Sequence, residues 1–168
     1  ACAPANSTPV EAVVDDLGRP VNIGKIPQRI VSLAPSNTEV LFALGLGEKV
    51  VGVTEYCDYP PEALDEEKVG GYSTPDIEKI IALQPDLILA SSIHAKEIIP
   101  ALEERGFTVF ALESKNLDGI LKDIQMVGKI TGRVKEASEL VTQMKNRIKA
   151  VTDETKNLEE MPRVFYIT

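Results

Sequence analysis

The sequence is short of the residues from which catalytic and metal centres are most often built. It has one histidine, two cysteines and no tryptophan. A single histidine cannot form a multi-histidine zinc site, and two cysteines without ligand spacing give neither a zinc cluster nor a disulfide framework. No phosphate-binding glycine loop, dinucleotide fingerprint or nucleophile elbow is present. We therefore expect no enzymatic activity and no cofactor, and we expect Cys57 to be a small buried or half-buried thiol.

Basic charge is also scarce. The chain has 18 Lys and Arg residues against 26 Asp and Glu residues, which gives a net charge of -8 at pH 7. Nucleic acid phosphates would be repelled by this surface, so we expect no nucleic-acid partner. No apolar run approaches the roughly 20 residues that a membrane-spanning helix needs. The negative charge is consistent with plain solubility and also with docking onto a basic partner.

The N-terminal segment has the composition of a tether. Ala1 and Cys2 precede a Pro, Ala, Asn, Ser and Thr tract that ends at Pro9. A cysteine at the head of such a tract resembles a processed bacterial or archaeal lipoprotein, in which that cysteine carries the lipid. We therefore expect residues 1–10 to be a flexible lipoprotein-type tether and Cys2 to be its lipidation site. Contact with a membrane would then occur only through the lipid anchor, and the protein would be extracytoplasmic, either on the cell surface or in the periplasm.

Residues 11–132 alternate between short apolar runs and amphipathic stretches of about ten residues, a pattern typical of βαβ units. The sequence therefore predicts an α/β lobe with a mostly parallel sheet flanked by helices. The first two strands read as a hairpin, and the run at 86–90 is the clearest buried strand. The predicted strands cover residues 11–15, 21–24, 29–33, 50–53, 86–90 and 108–112.

Three helix starts are predicted from capping patterns. Residues 36–39 have the spacing of a capping box, and Thr74 precedes Pro75 and Asp76 as a capping hydroxyl would. Asn116 is expected to cap a helix that runs to about Gly132.

Ligands of parallel α/β sheets bind outside the carboxyl ends of the strands. The residues predicted at those ends include Ser36, Asn37, Tyr56, Tyr72 and His94. A tyrosine offers a flat apolar ring and a hydroxyl group, which suits a large ring-shaped or polar-rimmed ligand, and its phenolate can ligate ferric iron. The tyrosines could equally be half-buried packing residues.

The C-terminal part of the sequence differs from the lobe. Residues 133–160 lack glycine and proline and carry apolar residues at helical spacing, so they predict one long helix. The helix itself should run from Arg133 to about Leu158, and these roughly 26 residues at about 1.5 Å each would span roughly 39 Å, more than one small sheet needs. Leu140, Met144, Ile148 and Val151 should share a face. Residues 161–168 then read as the first strand of a missing C-terminal lobe, although that strand could instead pair with the edge of this sheet.

Four segments carry a resemblance to a known family. They are RIVSLAPSNTE at 29–39, VGVTEYCDYPP at 51–61, VGGYSTPDIEKI at 69–80 and LQPDLILA at 83–90. Together they resemble the helical-backbone solute-binding proteins that serve ABC importers of siderophores, haem and cobalamin. In that family, two Rossmann-like α/β lobes are joined by a long bridging helix, and the ligand lies between the lobes. The resemblance covers residues 11–168 and implies an ABC permease as partner and an iron-siderophore, haem or cobalamin-type ligand.

The resemblance implies roles for individual residues. Tyr56 matches an aromatic residue that packs on the ligand, and Tyr72 replaces a tryptophan that faces it. Ser36 and Asn37 match the first cleft loop, and His94 is a further ligand-binding candidate at the same edge.

Glu78 matches an acidic residue of the N-terminal lobe that docks onto arginines of the permease. By its position alone it could equally be a solvated helix carboxylate.

Other functions remain open at this point. They are a flavodoxin-like α/β enzyme, for which no cofactor motif exists, a metal-ion receptor, against which a single histidine speaks, and a scaffold or adhesion role. We also expect a chain that ends before the second lobe to be able to self-associate through the apolar surface left uncovered.

Overall fold

A four-stranded parallel sheet forms the centre of the computed structural model, which describes residues 12–156 and 163–165. The sheet contains β3 (Ile30–Ser32), β4 (Val50–Val53), β5 (Leu87–Ala90) and β6 (Val109–Ala111), in the order β4-β3-β5-β6. A separate antiparallel hairpin precedes it and consists of β1 (Val13–Val14) and β2 (Pro20–Val21). The predicted strands are confirmed. The strand at 50–53 has the predicted bounds, β2 begins one residue and ends three residues earlier than predicted, and the other strands are shorter.

Helices cover both faces of the parallel sheet. They are α1 (Pro35–Ala43), α2 (Ile77–Ala82), α3 (Ile98–Glu103), α4 (Leu117–Thr131) and α5 (Val134–Thr155), with short 3-10 turns at Gly47–Lys49, Pro61–Asp65 and Ser92–His94. The α/β architecture with a parallel sheet and a long C-terminal helix is therefore as the sequence predicted.

The two hydrophobic cores follow from the alternation of side chains along each strand. In β5, Leu87 and Leu89 point to the core beneath α1, α4 and α5, whereas Ile88 and Ala90 point to the core beneath α2 and α3. All four side chains are fully buried. A buried parallel strand of this kind is apolar on both faces, which explains why it was the clearest strand in the sequence.

The order of the strands places a topological switch point between β3 and β5. The chain leaves β3 through α1 to reach β4 on one side, and it leaves β5 through α3 to reach β6 on the other side. Connections that depart in opposite directions leave a crevice at the carboxyl ends of the two central strands. This crevice positions the candidate site.

The hairpin is fastened to the last strand of the sheet by Asp15. This buried carboxylate accepts hydrogen bonds from the Arg19 guanidinium and from the backbone N–H of Ala111, the latter at 3.2 Å. The next residue, Asp16, donates its N–H to the Ala111 carbonyl at 3.1 Å and accepts the Glu113 N–H at 2.8 Å. The hairpin thus brings a carboxylate to the carboxyl end of β6.

Two of the predicted helix caps are wrong, and one is confirmed. Helix α1 begins at Pro35, so Ser36 lies in its first turn and residues 36–39 form no capping box. Proline at the first helical position starts the helix earlier than the serine pattern suggested. Helix α2 is capped by Asp76, which accepts the N–H groups of Glu78 and Lys79, and Thr74 lies outside it. The cap of α4 is Asn116, as predicted.

Helix α5 is continuous over 22 residues, which confirms the long helix and corresponds to about 33 Å. Ala137 and Val141 are buried against the lobe, and Leu140 and Met144 pack at its margin. Ile148 is half-buried, but Val151 is 61% exposed, so the predicted apolar face is covered only over the first part of the helix. The last turns therefore extend past the sheet.

The remaining sequence predictions concern the chain ends. Cys2 and residues 1–10, the predicted tether, lie outside the described residues, as does most of the predicted strand at 161–168. Residues 163–165 of that segment have no regular secondary structure, and Val164 and Phe165 are 82% and 88% exposed. Within the described ranges, no helix combines the length and the hydropathy that crossing a membrane requires.

Candidate functional site: a cleft at the carboxyl ends of the strands

An open cleft of about 560 Å³ lies at the carboxyl ends of β3, β5 and β6, between α1, α4 and α5. Its volume is within the range of small-molecule binding sites. It is lined by Ser36, Asn37, Glu39, Val40, Ala43, Tyr59, Tyr72, Ser91, Leu112, Glu113, Ser114, Ile120, Asp123, Ile124, Leu140 and Met144. The structure therefore brings together three of the residues predicted from the sequence: Ser36, Asn37 and Tyr72.

Asn37 ties the two central strands together at the switch point. Its side-chain Nδ2 donates to the Ala90 carbonyl at the end of β5, at 3.0 Å, and the residue is only 4% exposed. Ser36, one position earlier in α1, is exposed and lines the same cleft. Ser36 is therefore free to meet a ligand, whereas Asn37 shapes the floor with its amide.

Tyr72 reaches the cleft from a loop without regular secondary structure. Its hydroxyl group lies 3.0 Å from the Ser91 hydroxyl, and its ring meets the His94 ring edge-to-face with centroids 5.6 Å apart. Both Tyr72 and Ser91 line the cleft. The ring of Tyr72 is thus fixed at the rim.

His94 lies beneath this rim and is fully buried. The Ser91 N–H donates to Nδ1 at 3.0 Å, and Nε2 lies 2.6 Å from the Tyr72 carbonyl oxygen. An acceptor Nδ1 and a donor Nε2 define the neutral tautomer with the proton on Nε2. Burial lowers the pKa of His94, although the contact of Nε2 with the Tyr72 carbonyl opposes that shift. The prediction that His94 binds the ligand is therefore corrected, because its ring is enclosed and both nitrogens are bonded to the protein.

Two tyrosines lie in the loop after β4. Tyr56 is 64% exposed and does not line the cleft, whereas Tyr59, equally exposed, does. The segment between them is anchored by Cys57, whose buried thiol lies 3.2 Å from the Thr38 hydroxyl and 3.1 Å from the Thr54 hydroxyl. The thiol is buried as expected. The sequence analysis did not single out Tyr59 as a site residue, although its closeness to Tyr56 in the sequence was an available signal.

Sequence reasoning missed Asp123 completely. This residue of α4 is 7% exposed, lines the cleft and accepts a hydrogen bond from the Ser114 hydroxyl. The pKa of Asp123 is raised to about 6, first by burial and also by the neighbouring Asp16, while Ser114 and Lys122 act in the opposite direction. No pattern pairs Asp16 with Asp123, because only the fold of the hairpin onto β6 brings the two carboxyl groups together.

The cleft joins an apolar wall to acidic groups. Leu140 and Met144 of α5 form part of the wall, and Glu39, Glu113 and Asp123 supply carboxyl groups. None of the described residues that line the cleft is Lys, Arg or His. The arrangement suits a ligand with a large apolar surface and hydrogen-bond donors at its edge, and it disfavours an anion.

Glu78 lies away from the cleft, exposed in the first turn of α2. The opposite face of this short helix buries Ile80 in the core, so Glu78 points to solvent from a firmly seated element. In the part of the chain that the structure describes, no group of three or more His, Cys, Asp or Glu side chains is arranged to hold a metal ion.

Comparison with known sequences gives matches over most of the chain. Residues 30–168 match the profile of a family described as periplasmic binding protein. An ABC transporter substrate-binding lipoprotein of Bacillus subtilis is 41% identical over 152 residues, which are 88% of this chain and 48% of that protein. A vitamin B12-binding protein of Vibrio cholerae is 46% identical over 99 residues, 58% of this chain and 36% of that protein.

Comparison with solved structures agrees with the sequence matches. The crystal structure of a periplasmic vitamin B12-binding protein of Vibrio cholerae superposes with a TM-score of 0.71 at 35% identity, over 79% of this chain and 52% of that one. The chain spans about half, or less than half, of the length of the curated relatives that it matches.

Proposed function

Because this chain belongs to the periplasmic binding protein family, we propose that it is the N-terminal lobe and bridging helix of the extracytoplasmic solute-binding component of an ABC importer. The protein would capture a ligand and deliver it to a permease, without catalysis. The Bacillus subtilis relative and the Vibrio cholerae structure named above are about twice as long as the matched region, which supports a second lobe that closes over the cleft. Helix α5, whose last turns extend past the sheet, would bridge the two lobes.

Of the three ligand classes that the resemblance implied, we propose a corrinoid of the cobalamin type. The observation that carries this choice is the charge of the cleft, with three carboxyl groups and no basic side chain among its described lining residues. The propionates of haem and the acidic groups of many ferric siderophores would meet these carboxylates unfavourably. A corrinoid carries neutral amides around its ring, and amide N–H groups donate hydrogen bonds to carboxylates.

The aromatic residues fit the same ligand. Tyr72 and Tyr59 line the cleft, and the exposed ring of Tyr56 stands on the adjoining loop. Flat rings of this kind can pack on a macrocycle, while Ser36 would contact polar groups at its edge, above the floor that Asn37 shapes. Tyr56 lies outside the cleft lining. It would contact the ligand only if the second lobe held the far edge of the ligand over the loop between Thr54 and Pro60.

The remaining proposals concern the cell surface. Cys2 would carry a lipid anchor, and the lobe would stand outside the cytoplasm on a flexible tether. Glu78 would form an ion pair with an arginine of the permease, since an exposed charge on a rigid element steers association and sets register. Each of these proposals rests on the resemblance and on the family to which the chain belongs.

Calorimetric titration of the full-length protein with three probes tests the ligand class. The probes are cyanocobalamin, haem and ferric citrate, an iron chelate that carries carboxylates, each at the same pH and ionic strength. We expect tight binding of cyanocobalamin and no saturable binding of the other two, because both carry acidic groups. Saturable binding of haem or ferric citrate with cyanocobalamin inert would overturn the corrinoid proposal and support the corresponding alternative, while turnover of any probe would argue for an enzyme.

A further inference from the structure

Tyr72, Ser91 and His94 form a closed circuit of contacts at the rim of the cleft. The Tyr72 hydroxyl meets the Ser91 hydroxyl at 3.0 Å, the Ser91 N–H donates to His94 Nδ1 at 3.0 Å, and His94 Nε2 donates to the Tyr72 carbonyl at 2.6 Å. The tyrosine is therefore held at both its ends, by the side-chain hydroxyl and by the backbone carbonyl. The edge-to-face contact between the two rings, with an interplanar angle of 78°, limits rotation of the tyrosine ring as well.

The elements behind these three residues differ in rigidity. Ser91 follows the buried strand β5, and His94 closes the 3-10 turn Ser92–His94 on the end of that strand. Tyr72 instead belongs to a loop that has no regular secondary structure. Its nearest backbone ties are at Gly70, which accepts the Glu55 N–H at 2.9 Å and forms an isolated bridge with Pro75. The circuit thus connects a loop tyrosine to the carboxyl end of the buried strand β5.

We propose that His94 and Ser91 are positioning residues, which hold the ring of Tyr72 ready for the ligand before binding occurs. This inference rests on the proposed role of Tyr72 as a ligand contact. His94 itself never touches the ligand, because its ring is enclosed and both of its nitrogens are already bonded. An aromatic ring that is ordered in advance loses less side-chain entropy on binding, so the circuit increases affinity without adding a contact.

The chemistry of histidine suits this role. The circuit needs one side-chain atom that accepts from the Ser91 N–H and one that donates to the Tyr72 carbonyl. The neutral imidazole supplies both, at a fixed distance from each other. Asparagine would retain an acceptor at the position of Nδ1 and lose the donor to Tyr72. Glutamine would place its amide N–H near the position of Nε2 and so retain that donor.

The test therefore compares His94→Asn with His94→Gln in the full-length protein, with cyanocobalamin as the probe. The ordering cost of a side chain corresponds to roughly a two- to tenfold change in Kd. We expect His94→Asn to raise Kd by this factor and His94→Gln to recover most of the loss. Ser91→Ala and Tyr72→Phe both break the contact between the two hydroxyl groups. They should give equal losses of affinity, smaller than that of His94→Asn, and they test the proposal if His94→Asn does not fold.

A double-mutant cycle separates positioning from general destabilisation. If His94 acts through the Tyr72 ring, His94→Asn should have no further effect on Kd in a Tyr72→Ala background. An additional loss of the same size in that background would overturn the proposal, as would an unchanged Kd in His94→Asn. A wild-type Kd in Tyr72→Ala would instead reject Tyr72 as a ligand contact, and the inference with it.

A measurement without ligand distinguishes failure of this inference from failure of the proposed function. NMR relaxation of a ¹³C-labelled Tyr72 ring should show an ordered ring in the wild type and increased motion in His94→Asn. If cyanocobalamin fails to bind the wild type, the corrinoid proposal fails, and the ring dynamics still decide whether His94 orders Tyr72. An equally ordered ring in both proteins would overturn the inference.

Discussion

Asp123 of α4, which lines the cleft, lies beside Asp16 of the β1–β2 hairpin, so two carboxyl groups meet at one corner of the site. Lys122 Nζ lies 3.5 Å from the Asp16 carboxylate, and the Ser114 hydroxyl donates to Asp123. Glu113 and Glu39 are the other charged residues of the cleft lining, while α5 presents only Leu140 and Met144. At this corner, Asp123 is therefore the group with the raised pKa, and Lys122 is its basic neighbour.

This corner predicts how stability depends on pH. The pKa of Asp123 is raised from 3.8 to about 6 in the folded state, so the folded protein retains a proton that the unfolded chain releases between these values. The contribution of Asp123 is therefore most favourable below pH 3.8 and is lost as pH rises through about 6. We expect Asp123→Asn to increase the free energy of unfolding at pH 7.5 by roughly 1 kcal/mol, allowing for solvent screening.

Urea denaturation at several pH values between 4 and 8 checks this expectation. The gain of Asp123→Asn over the wild type should grow from pH 4 to about pH 6 and then level off. Glu104→Gln, at an exposed carboxylate near the end of α3, should show no such trend. A gain that is constant with pH would mean that Asp123 is not the titrating group.

The packing of α5 against α4 depends on Gly128. A Cβ atom at this position would come within 2.4 Å of the Ala137 Cβ and 2.8 Å of the Arg133 carbonyl oxygen. We expect Gly128→Ala to destabilise the protein by about 1–3 kcal/mol, as overpacking does. The matched control is Gly119→Ala in the same helix, where the nearest contacts are 3.5 Å away and no loss is expected. Thermal denaturation measures the stability of both variants. Equal losses in the two variants, or no loss in Gly128→Ala, would show that α5 packs on α4 differently.

Glu78 should matter for docking and not for ligand binding. Glu78→Gln leaves the cap by Asp76 intact, because the bond is made by the Glu78 backbone N–H at 3.0 Å. Loss of a charge near a helix N-terminus costs only a few tenths of a kcal/mol in stability. We expect weaker binding to the permease in liposomes, most visibly at low salt, with cyanocobalamin affinity unchanged. Glu104→Gln is the control, and equal permease affinity of Glu78→Gln and wild type at low ionic strength would reject the docking role.

The 168-residue chain on its own should associate and bind ligand poorly. Val151, Val164 and Phe165 are 61%, 82% and 88% exposed, and exposed apolar groups of this size favour contact with a second copy. We expect light scattering to show a mass that rises with concentration, and Phe165→Ser to reduce this rise. A monomer at high concentration in both proteins would show that these side chains are covered within the chain.

The sequence predicted the lobe well, because apolar runs such as residues 86–90 and the helix cap at Asn116 are local signals. The caps of α1 and α2 were each misplaced by two residues, since Ser36 and Thr74 were equally plausible neighbours of the true caps Ala34 and Asp76. In the cleft, Ser36, Asn37 and Tyr72 were found because strand ends are predictable from strand patterns.

What the sequence could not reveal depends on contacts between distant segments. The enclosure of His94 is produced by the loop that carries Tyr72, and neither residue signals the other. The elevated pKa of Asp123 arises from burial and from Asp16, which reaches α4 only through the packing of the hairpin on β6. Position at a strand end was therefore a sound guide to the site as a whole and a poor guide to which side chains face the ligand.

The most direct test of the proposed function is to locate the cobalt atom in crystals of the full-length protein grown with cyanocobalamin. Anomalous diffraction at the cobalt absorption edge identifies that atom without ambiguity. We predict a single cobalt peak over the cleft, with the ring packed against Tyr72 and its amides directed to Glu113 and Asp123. A peak at another surface, or no peak in crystals that contain saturating cyanocobalamin, would contradict the assignment of this cleft as a corrinoid-binding site.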